Sequence, residues 1–375
     1  MHIGYDAKRA FLNNTGLGNY SRWLIKAMTT YHPQNSYGLY TPKVKENRHL
    51  AFLSRLQATQ TVIPKSKLLS SWWRTWGIVK DLKKDGIELY HGLSHELPLG
   101  IKQSGIRSVL TVHDLIFMRF PQYYGWINCS IYQTKLKYAC KAADKIIAIS
   151  NKTKDDLIEL LQVNPDKIEV IYQSCDEAFK YNQSDKQKLL VKKKYDLPKR
   201  FLLTVGTIEE RKNLLLLVKS LLHTRMSVPL IVVGKPTAYM AKVKEFINTN
   251  NLNSRVHFLH EVSFEDLPSV YQLATVFVYP SRYEGFGIPV LEALTSGVPV
   301  IAAKGSCLEE AGGPDSLYVN ADNEQELAKA INRVWGNPAL RQQMITKGFD
   351  YVNTFDNEKL SAQLNNLYQN TLNHA

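Results

Sequence analysis

Cysteine is scarce in this chain. Four residues, Cys129, Cys140, Cys175 and Cys307, stand far apart among 375, with no C-x-x-C pair. That excludes a disulfide scaffold and the common zinc and iron–sulfur spacings, and predicts reduced thiols in a cytosolic protein. No Asp-x-Asp element for a catalytic metal occurs. No apolar run reaches the roughly 18 residues that a membrane span requires. The opening Met1-His2-Ile3-Gly4-Tyr5-Asp6 carries its basic residues, Lys8 and Arg9, after the apolar ones, so a signal peptide is not expected. Internal repeats and low-complexity tracts are missing as well.

Acidic residues are the scarcer charges: 34 Asp and Glu against 47 Lys and Arg, a net of +13. The imbalance sits in the first half. Residues 1–190 hold 27 basic and 16 acidic residues, a net of +11, whereas residues 191–375 hold 20 and 18, a net of +2. Such asymmetry points to an anionic partner for the first half, although a merely basic surface gives the same count. Nucleic acid is disfavoured, because the basic residues are not interleaved with stacking aromatics on a recognisable module. The remaining composition, 44% hydrophobic and 22% charged, is that of a folded globular chain. At roughly 150 residues per domain the length predicts two domains.

Strand-like and helix-like patterns alternate through both halves. Short β-rich runs fall at His2–Tyr5, Tyr37–Tyr40, Ile87–His91, Ser108–His113, Lys145–Ile149 and Lys167–Tyr172, then at Phe201–Val205, Leu230–Val233, Val256–Leu259, Val276–Tyr279 and Val298–Ala302. Tyr20, Trp23, Leu24, Ala27, Met28 and Tyr31 form one helical stripe. Further helices are expected at Asp155–Gln162, Asn213–Leu222, Ala238–Asn248, Phe264–Ala274, Ile288–Leu294 and, near the end, Asn323–Trp335, Pro338–Val352 and Asn357–Asn370. This alternation predicts an α/β chain of two doubly wound Rossmann-like domains, with ligands at the carboxyl ends of the strands in a cleft that both domains face. The polar stretch Gln173–Arg200 reads as the boundary, with a hinge near Gln173–Asp176. The domains are then 1–174 and 175–354. Residues 355–375 form a helix whose apolar stripe, Leu360, Leu364, Leu367 and Leu372, is expected to be buried on the first domain.

Three segments carry chemistry. Thr15-Gly16-Leu17-Gly18-Asn19-Tyr20 opens the first helix after a strand. Gly16 and Gly18 either let backbone approach an anion at the helix N-terminus or serve only a tight turn. A dinucleotide fingerprint is not complete, since Ser21 takes the third glycine position and the next acid is Glu46. The second segment is Tyr279-Pro280-Ser281-Arg282-Tyr283-Glu284-Gly285-Phe286-Gly287-Ile288-Pro289-Val290-Leu291-Glu292. It ends a strand, loops through two glycines and starts a helix with Pro289 in its first turn. The amides of Phe286, Gly287 and Ile288 then offer an anion cradle, flanked by the carboxylates of Glu284 and Glu292. The third is Val205-Gly206-Thr207-Ile208-Glu209-Glu210-Arg211-Lys212-Asn213-Leu214, where Arg211 and Lys212 at a strand's carboxyl end suit a pyrophosphate.

Together these segments resemble a retaining glycosyltransferase of the GT-B fold, in the large family that includes sucrose synthase and bacterial mannosyltransferases. The likeness covers nearly the whole chain. Glu284 and Glu292, with seven residues between, match the family's E-x7-E element, and Arg211–Leu214 its phosphate-binding element. Thr111-Val112-His113-Asp114-Leu115 resembles the strand end whose histidine lies beside the donor sugar. One departure is Thr207, where many members carry an Arg directly after the glycine matching Gly206.

The resemblance implies that the first domain binds the acceptor and the second a nucleoside-diphosphate sugar, with no further cofactor and no metal. Arg211 and Lys212 are then expected to hold the diphosphate and stabilise the leaving group. Glu284 is expected to contact sugar hydroxyls beside the Gly285–Ile288 amides, Glu292 to hold the ribose and His113 to contact the transferred sugar. Transfer is expected on one face, with the departing phosphate helping to deprotonate the acceptor. The donor read from the likeness is GDP-mannose, with UDP-sugars open. The acceptor is a glycan or a lipid-linked glycan in polysaccharide or lipopolysaccharide assembly. A sugar-nucleotide epimerase of the same fold is the alternative. A last segment, Lys65 to Lys84, interleaves Trp72, Trp73 and Trp76 with Lys65, Lys67, Arg74, Lys80, Lys83 and Lys84. It reads either as an interfacial helix on an anionic membrane or as a helix packing its rings into a core.

Overall fold

The computed structural model describes residues 1–44, 59–66, 69–124 and 126–373. Contacts divide the chain into two compact units, one of Met1–Ser174 with Phe355–Ala375, the other of Cys175–Thr354. Each is built on a parallel sheet.

Among the described residues the first unit holds seven strands: β1 (His2–Asp6), β2 (Ser36–Tyr40), β3 (Thr59–Val62), β4 (Leu89–Gly92), β5 (Arg107–Val112), β6 (Lys145–Ala148) and β7 (Ile168–Val170). Their order across the sheet is β3-β2-β1-β4-β5-β6-β7. The second unit repeats the plan with β8 (Leu202–Val205), β9 (Leu230–Val233), β10 (Val256–Leu259), β11 (Val276–Tyr279), β12 (Val300–Ala303) and β13 (Leu317–Val319), ordered β10-β9-β8-β11-β12-β13. Both sheets are therefore doubly wound, and each reverses its winding once, between β1 and β4 and between β8 and β11. A parallel strand with helices on both faces must be apolar throughout. Leu230-Ile231-Val232-Val233 and Val276-Phe277-Val278-Tyr279 are buried at every position, and β-branched or aromatic side chains suit that pleat.

The sequence pattern did not reveal β3 and β13. Thr59-Gln60-Thr61-Val62 is a half-exposed edge strand and Leu317-Tyr318-Val319 is only three residues long, so neither shows an apolar run. The polar stretch after Gln173 contains the helix Asp185–Lys194, capped by Ser184 Oγ accepting from the Gln187 amide. A further helix, Trp126–Ala142, also lacked a clear sequence signal. Of the basic tryptophan segment, Lys67 and Leu68 lie outside the described residues. The rest is a short turn at Ser70–Trp72, a π-helical turn Trp73–Gly77 and a helix Ile78–Lys84.

The terminal helix, Asn357–Asn373, belongs to the first unit. Leu360, Leu364, Leu367 and Tyr368 are buried, at roughly 1.5–3 kcal/mol for each aliphatic side chain. Polar contacts fix its register. Trp23 Nε1 donates to Asn357 Oδ1 at 2.8 Å, and Asn35 Nδ2 donates to Asn365 Oδ1 at 3.0 Å. Tyr368 OH lies 2.7 Å from His91 Nδ1. Among the described residues no helix is long and apolar enough to cross a membrane.

Candidate active site

In the second unit, β8 and β11 are neighbours at the point where the winding reverses, the place where open α/β sheets leave a crevice. The chain leaves β8 through Gly206, whose φ of 147° is a glycine conformation. Its carbonyl lies so close to Gly234 that a Cβ there would sit 1.8 Å from the oxygen. The following turn ends at Asn213, held left-handed at φ 59°. Asn213 Nδ2 donates to Pro280 O at 3.2 Å and Ala321 O at 2.7 Å, which ties this turn to the loop after β11. The Arg282 amide donates to Arg211 O at 2.9 Å, and Arg211 Nη1 donates to Tyr283 O.

These ties converge three charges. Arg211 Nη1 is 2.9 Å from Glu284 Oε2, and Lys212 Nζ is 3.1 Å from Glu284 Oε1. Tyr279 OH and Ser281 Oγ donate to the same Oε1 at 2.9 and 2.8 Å. Lys212 also donates to Tyr279 OH at 2.6 Å, and Arg211 Nη2 to Glu209 Oε1 at 2.6 Å. Burial by itself would raise the Glu284 carboxyl, but Lys212 and Arg211 overcome it and hold it at about 2. Burial likewise opposes the charge on Lys212, and Glu284 reverses that effect, so its ammonium is held firmly protonated. Tyr279, Ser281 and Glu209 were not singled out as site residues. Tyr279 and Ser281 lie within the motif, and their hydroxyls at a strand's carboxyl end are the signal that could have marked them.

The helix Ile288–Thr295 starts immediately after this loop, with Gly287 left-handed at φ 113° as its cap. A Cβ on Gly287 would stand 2.7 Å from Leu308 Cδ2, so the cap demands glycine twice over. Gly285, Phe286, Gly287 and Ile288 thus join Gly206, Arg211, Lys212 and Glu284 in one place. Glu292 sits a turn further along the same helix, half-buried, and accepts from Tyr271 OH at 2.8 Å. Burial pushes its carboxyl up to about 8, against that hydrogen bond, and Asp176 adds to the rise. One carboxylate is therefore ionised and bound by cations, whereas the other is protonated at neutral pH.

The remaining candidates lie in the first unit. Gly16 and Gly18 open the helix Gly16–Tyr31. The Gly18 amide donates to Asn13 Oδ1 at 3.2 Å, and a Cβ there would stand 1.8 Å from Asn13 O. Gly16 has open space around it. Tyr20 of this helix packs edge-on against His113, ring centroids 4.6 Å apart. His113 is buried, and its Nε2 lies 2.9 Å from Leu93 O, which makes Nε2 the protonated nitrogen. Its own amide donates to His95 Nε2 at 2.7 Å. Burial, with His95 adding, pulls the His113 imidazole down to about 3, so it is neutral.

A helix N-terminus, an arginine fork and a lysine at the carboxyl ends of two central strands can neutralise a diphosphate. Comparison with known proteins agrees with that chemistry. Residues 25–179 match the model "Glycosyltransferase Family 4" and residues 185–350 the model "Glycosyl transferases group 1". The chain belongs to this glycosyltransferase family, and it is an enzyme, a retaining hexosyltransferase of the GT-B fold. It is 27% identical over 374 residues, 95% of this chain and 96% of the other, to O-antigen chain mannosyltransferase B of Escherichia coli. It is 29% identical over 314 residues, 84% and 82%, to O-antigen chain mannosyltransferase RfbU of Salmonella typhimurium. The fold matches that of Anabaena HepE, solved in complex with UDP and glucose, at a TM-score of 0.76 and 18% identity over 99% of this chain and 100% of that one.

Proposed function

We propose that this enzyme transfers mannose from GDP-mannose, with retention, to a glycan or lipid-linked acceptor during O-antigen or related polysaccharide assembly. The observation that carries the proposal is the shared hold of Arg211 and Lys212 on Glu284 at the carboxyl ends of β8 and β11. Arg211 and Lys212 turn to the donor diphosphate and stabilise it as it leaves, which is differential stabilisation of developing charge. Glu284 takes sugar hydroxyls beside the Gly285–Ile288 backbone, Glu292 takes the ribose, and Gly206 lets the chain approach the phosphates. From the first unit, His113 contacts the transferred sugar as a neutral imidazole, and Gly16 and Gly18 open the helix that carries its partner Tyr20. The departing phosphate takes the acceptor proton. Mannose and O-antigen are supported by the names of the two relatives, at 27% and 29% identity. A UDP-sugar donor is the second reading, favoured by the UDP and glucose held by the HepE neighbour. Family membership places the chain among transferases, which sets the epimerase alternative aside. We place the enzyme in the cytoplasm, working at the inner face of the membrane where a lipid-linked acceptor would present its sugar.

The test is a transfer assay with radiolabelled GDP-mannose, UDP-glucose and UDP-galactose against lipid-linked and free glycans. The expected result is product from GDP-mannose with its anomeric configuration retained, in the presence of EDTA. Product from UDP-sugars alone moves the donor assignment, and no transfer or donor hydrolysis from any nucleotide sugar refutes the proposal.

A further inference from the structure

The first unit buries a chain of polar groups that the donor chemistry does not use. It starts on the terminal helix Asn357–Asn373, where Tyr368 OH lies 2.7 Å from His91 Nδ1 on β4. His91 Nε2 lies 2.8 Å from Thr111 Oγ1 on β5, and Thr111 Oγ1 lies 3.0 Å from Tyr20 OH on the helix Gly16–Tyr31. The Tyr20 ring then packs edge-on against His113, just beyond the end of β5. We infer that this chain sets the lean of the His113 imidazole, which makes Tyr368 a positioning residue for the transferase site. The consequence for transfer rests on the role given to His113 above.

Tyr20, His91, Thr111 and Tyr368 are all buried, so each polar atom must find its partner inside the unit. Burial, with His113 adding, pulls the His91 imidazole down to about 3, so the ring is neutral and carries one proton. Burial holds the phenols of Tyr368 and Tyr20 well above their usual range, so both keep theirs. One nitrogen of His91 therefore donates and the other accepts. Either Tyr368 donates to Nδ1 and Nε2 donates to Thr111, or Nδ1 donates to Tyr368 and Thr111 donates to Nε2. In the first case the Thr111 hydroxyl keeps its proton for Tyr20. In the second Tyr20 must donate to Thr111. The bond at Tyr368 thus fixes the tautomer of His91, and through it the sense of the bond that holds the Tyr20 phenol.

Other bonds hold His113 without fixing its lean. Nε2 lies 2.9 Å from Leu93 O, the amide donates to His95 Nε2 at 2.7 Å, and Thr153 Oγ1 donates to the carbonyl at 3.2 Å. A ring pinned at one nitrogen can still tilt about that bond. The Tyr20 ring, at 90° to the imidazole with centroids 4.6 Å apart, stops the tilt. The terminal helix grips Tyr20 from a second direction as well. Trp23 packs on Tyr20 with centroids 5.7 Å apart, and its Nε1 donates to Asn357 Oδ1 at 2.8 Å. Both ends of the terminal helix therefore converge on the side chain that braces His113.

The experiment compares Tyr368→Phe with Leu364→Val in the whole enzyme. Both residues are buried on the terminal helix, but only Tyr368 belongs to the polar chain. Tyr368→Phe keeps the ring and removes the hydroxyl, whereas Leu364→Val thins the core by one methylene. NMR of histidine-labelled protein, with signals assigned by His91→Gln and His113→Gln, reads the ring nitrogens and ring protons. Tyr368→Phe should move the His91 nitrogens and the His113 ring protons. It should lower kcat with GDP-mannose about tenfold and leave KM nearly unchanged, as a displaced catalytic contact does. Leu364→Val should lower the melting temperature as much or more, yet keep the His113 signals and kcat of wild type. His113 signals that stay in place in Tyr368→Phe, or that move equally in Leu364→Val, overturn the inference. If His113→Ala transfers at the wild-type rate, the role given to His113 fails, and the ring signals still decide the positioning.

Discussion

Glu284 touches two cations and two hydroxyls through its two oxygens, and that crowding decides what its removal does. Glu284→Gln keeps the shape but releases Lys212 from its counter-ion and leaves Arg211 with Glu209 alone. A diphosphate should then bind as tightly as before or tighter, while transfer falls at least a hundredfold for want of the sugar contact. Nucleotide titration beside a transfer assay checks this, and a matched loss of both would make Glu284 a structural clamp only. The variant is not neutral for stability, since Lys212 loses its counter-ion and Arg211 keeps only Glu209 in a site with little solvent. Glu292 makes a different prediction. With its carboxyl raised to about 8 it is protonated in the free enzyme at pH 7, and hydroxyls donating to it favour the ionised form. Nucleotide binding at pH 7 should therefore release a proton, and binding well above pH 8 should release none. Calorimetry in two buffers of different ionisation enthalpy reads the difference. Equal heats in both buffers, or the same proton release from Glu292→Gln, would remove Glu292 from the nucleotide site.

At the scale of elements, the apolar strands were legible because a buried parallel strand is a continuous β-branched run, as in β9 and β11. The loop after β11 was legible too, because two glycines, a first-turn proline and two acids at a fixed spacing leave little else to build. Partners set by folding were not legible. His91, Thr111, Tyr20 and Tyr368 come from four elements and meet only in the folded unit. Thr111 Oγ1 lies 3.0 Å from Tyr20 OH and 2.8 Å from His91 Nε2, and His91 in turn reaches Tyr368. Likewise nothing local in the sequence pairs Arg74 with Asp6 and Glu96. The buried histidines of β4, of its loop and just after β5 give these elements a shared acid sensitivity. Burial, with the neighbouring histidine adding, pulls His91 and His113 to about 3, and burial with Arg9 adding pulls His95 to about 4. Above the ordinary value near 6.5 both states are neutral and pH has no effect through them. As pH falls below it, the unfolded chain takes protons that the folded one refuses, so stability is lost down to about pH 3–4. Three such groups cost about 4 kcal/mol per pH unit at most, against a total of roughly 5–15. Glu292 works the other way in the second unit, its contribution being present below about 4.5 and lost as pH rises through 8. Acidification from pH 6.5 to 4.5 should therefore open the first unit before the second. Hydrogen exchange resolved by peptide tests this, and loss of protection first in residues 202–319 would contradict it.

For the whole molecule, the unequal charge of the two halves meets an unequal surface. Trp72 and Trp76 are each 58% exposed, whereas Trp73 is 7% exposed and donates from Nε1 to Asp81 Oδ2 at 2.6 Å. The tryptophan segment thus divides its rings: one anchors the core and two face outward. Leu69 and Ile63 are exposed as well, and Lys65, Lys80, Lys83 and Lys84 stand in solvent on the same stretch of chain. Exposed indoles beside lysines suit the boundary between lipid headgroups and acyl chains, where a ring is half wet and an ammonium meets anionic lipid. Each basic residue near such a surface contributes about 1 kcal/mol, so a handful gives reversible attachment. The attraction should fade with salt, because the screening length shrinks from about 10 Å at 0.1 M to about 3 Å at 1 M. Co-sedimentation with anionic vesicles at low salt should capture the enzyme, and neutral vesicles should capture less. Changing Lys80, Lys83 and Lys84 to Glu should abolish the difference between the lipids. Trp72→Ser with Trp76→Ser should weaken binding to both, and a melt matching wild type would show that these rings carry no core packing. Trp73→Ser should instead lower the melting temperature, because it empties a core position and strands Asp81. Sedimentation indifferent to lipid charge, to salt and to the outward tryptophans would leave the +11 of the first half as surface charge alone, and the acceptor would then have to reach the enzyme away from the bilayer.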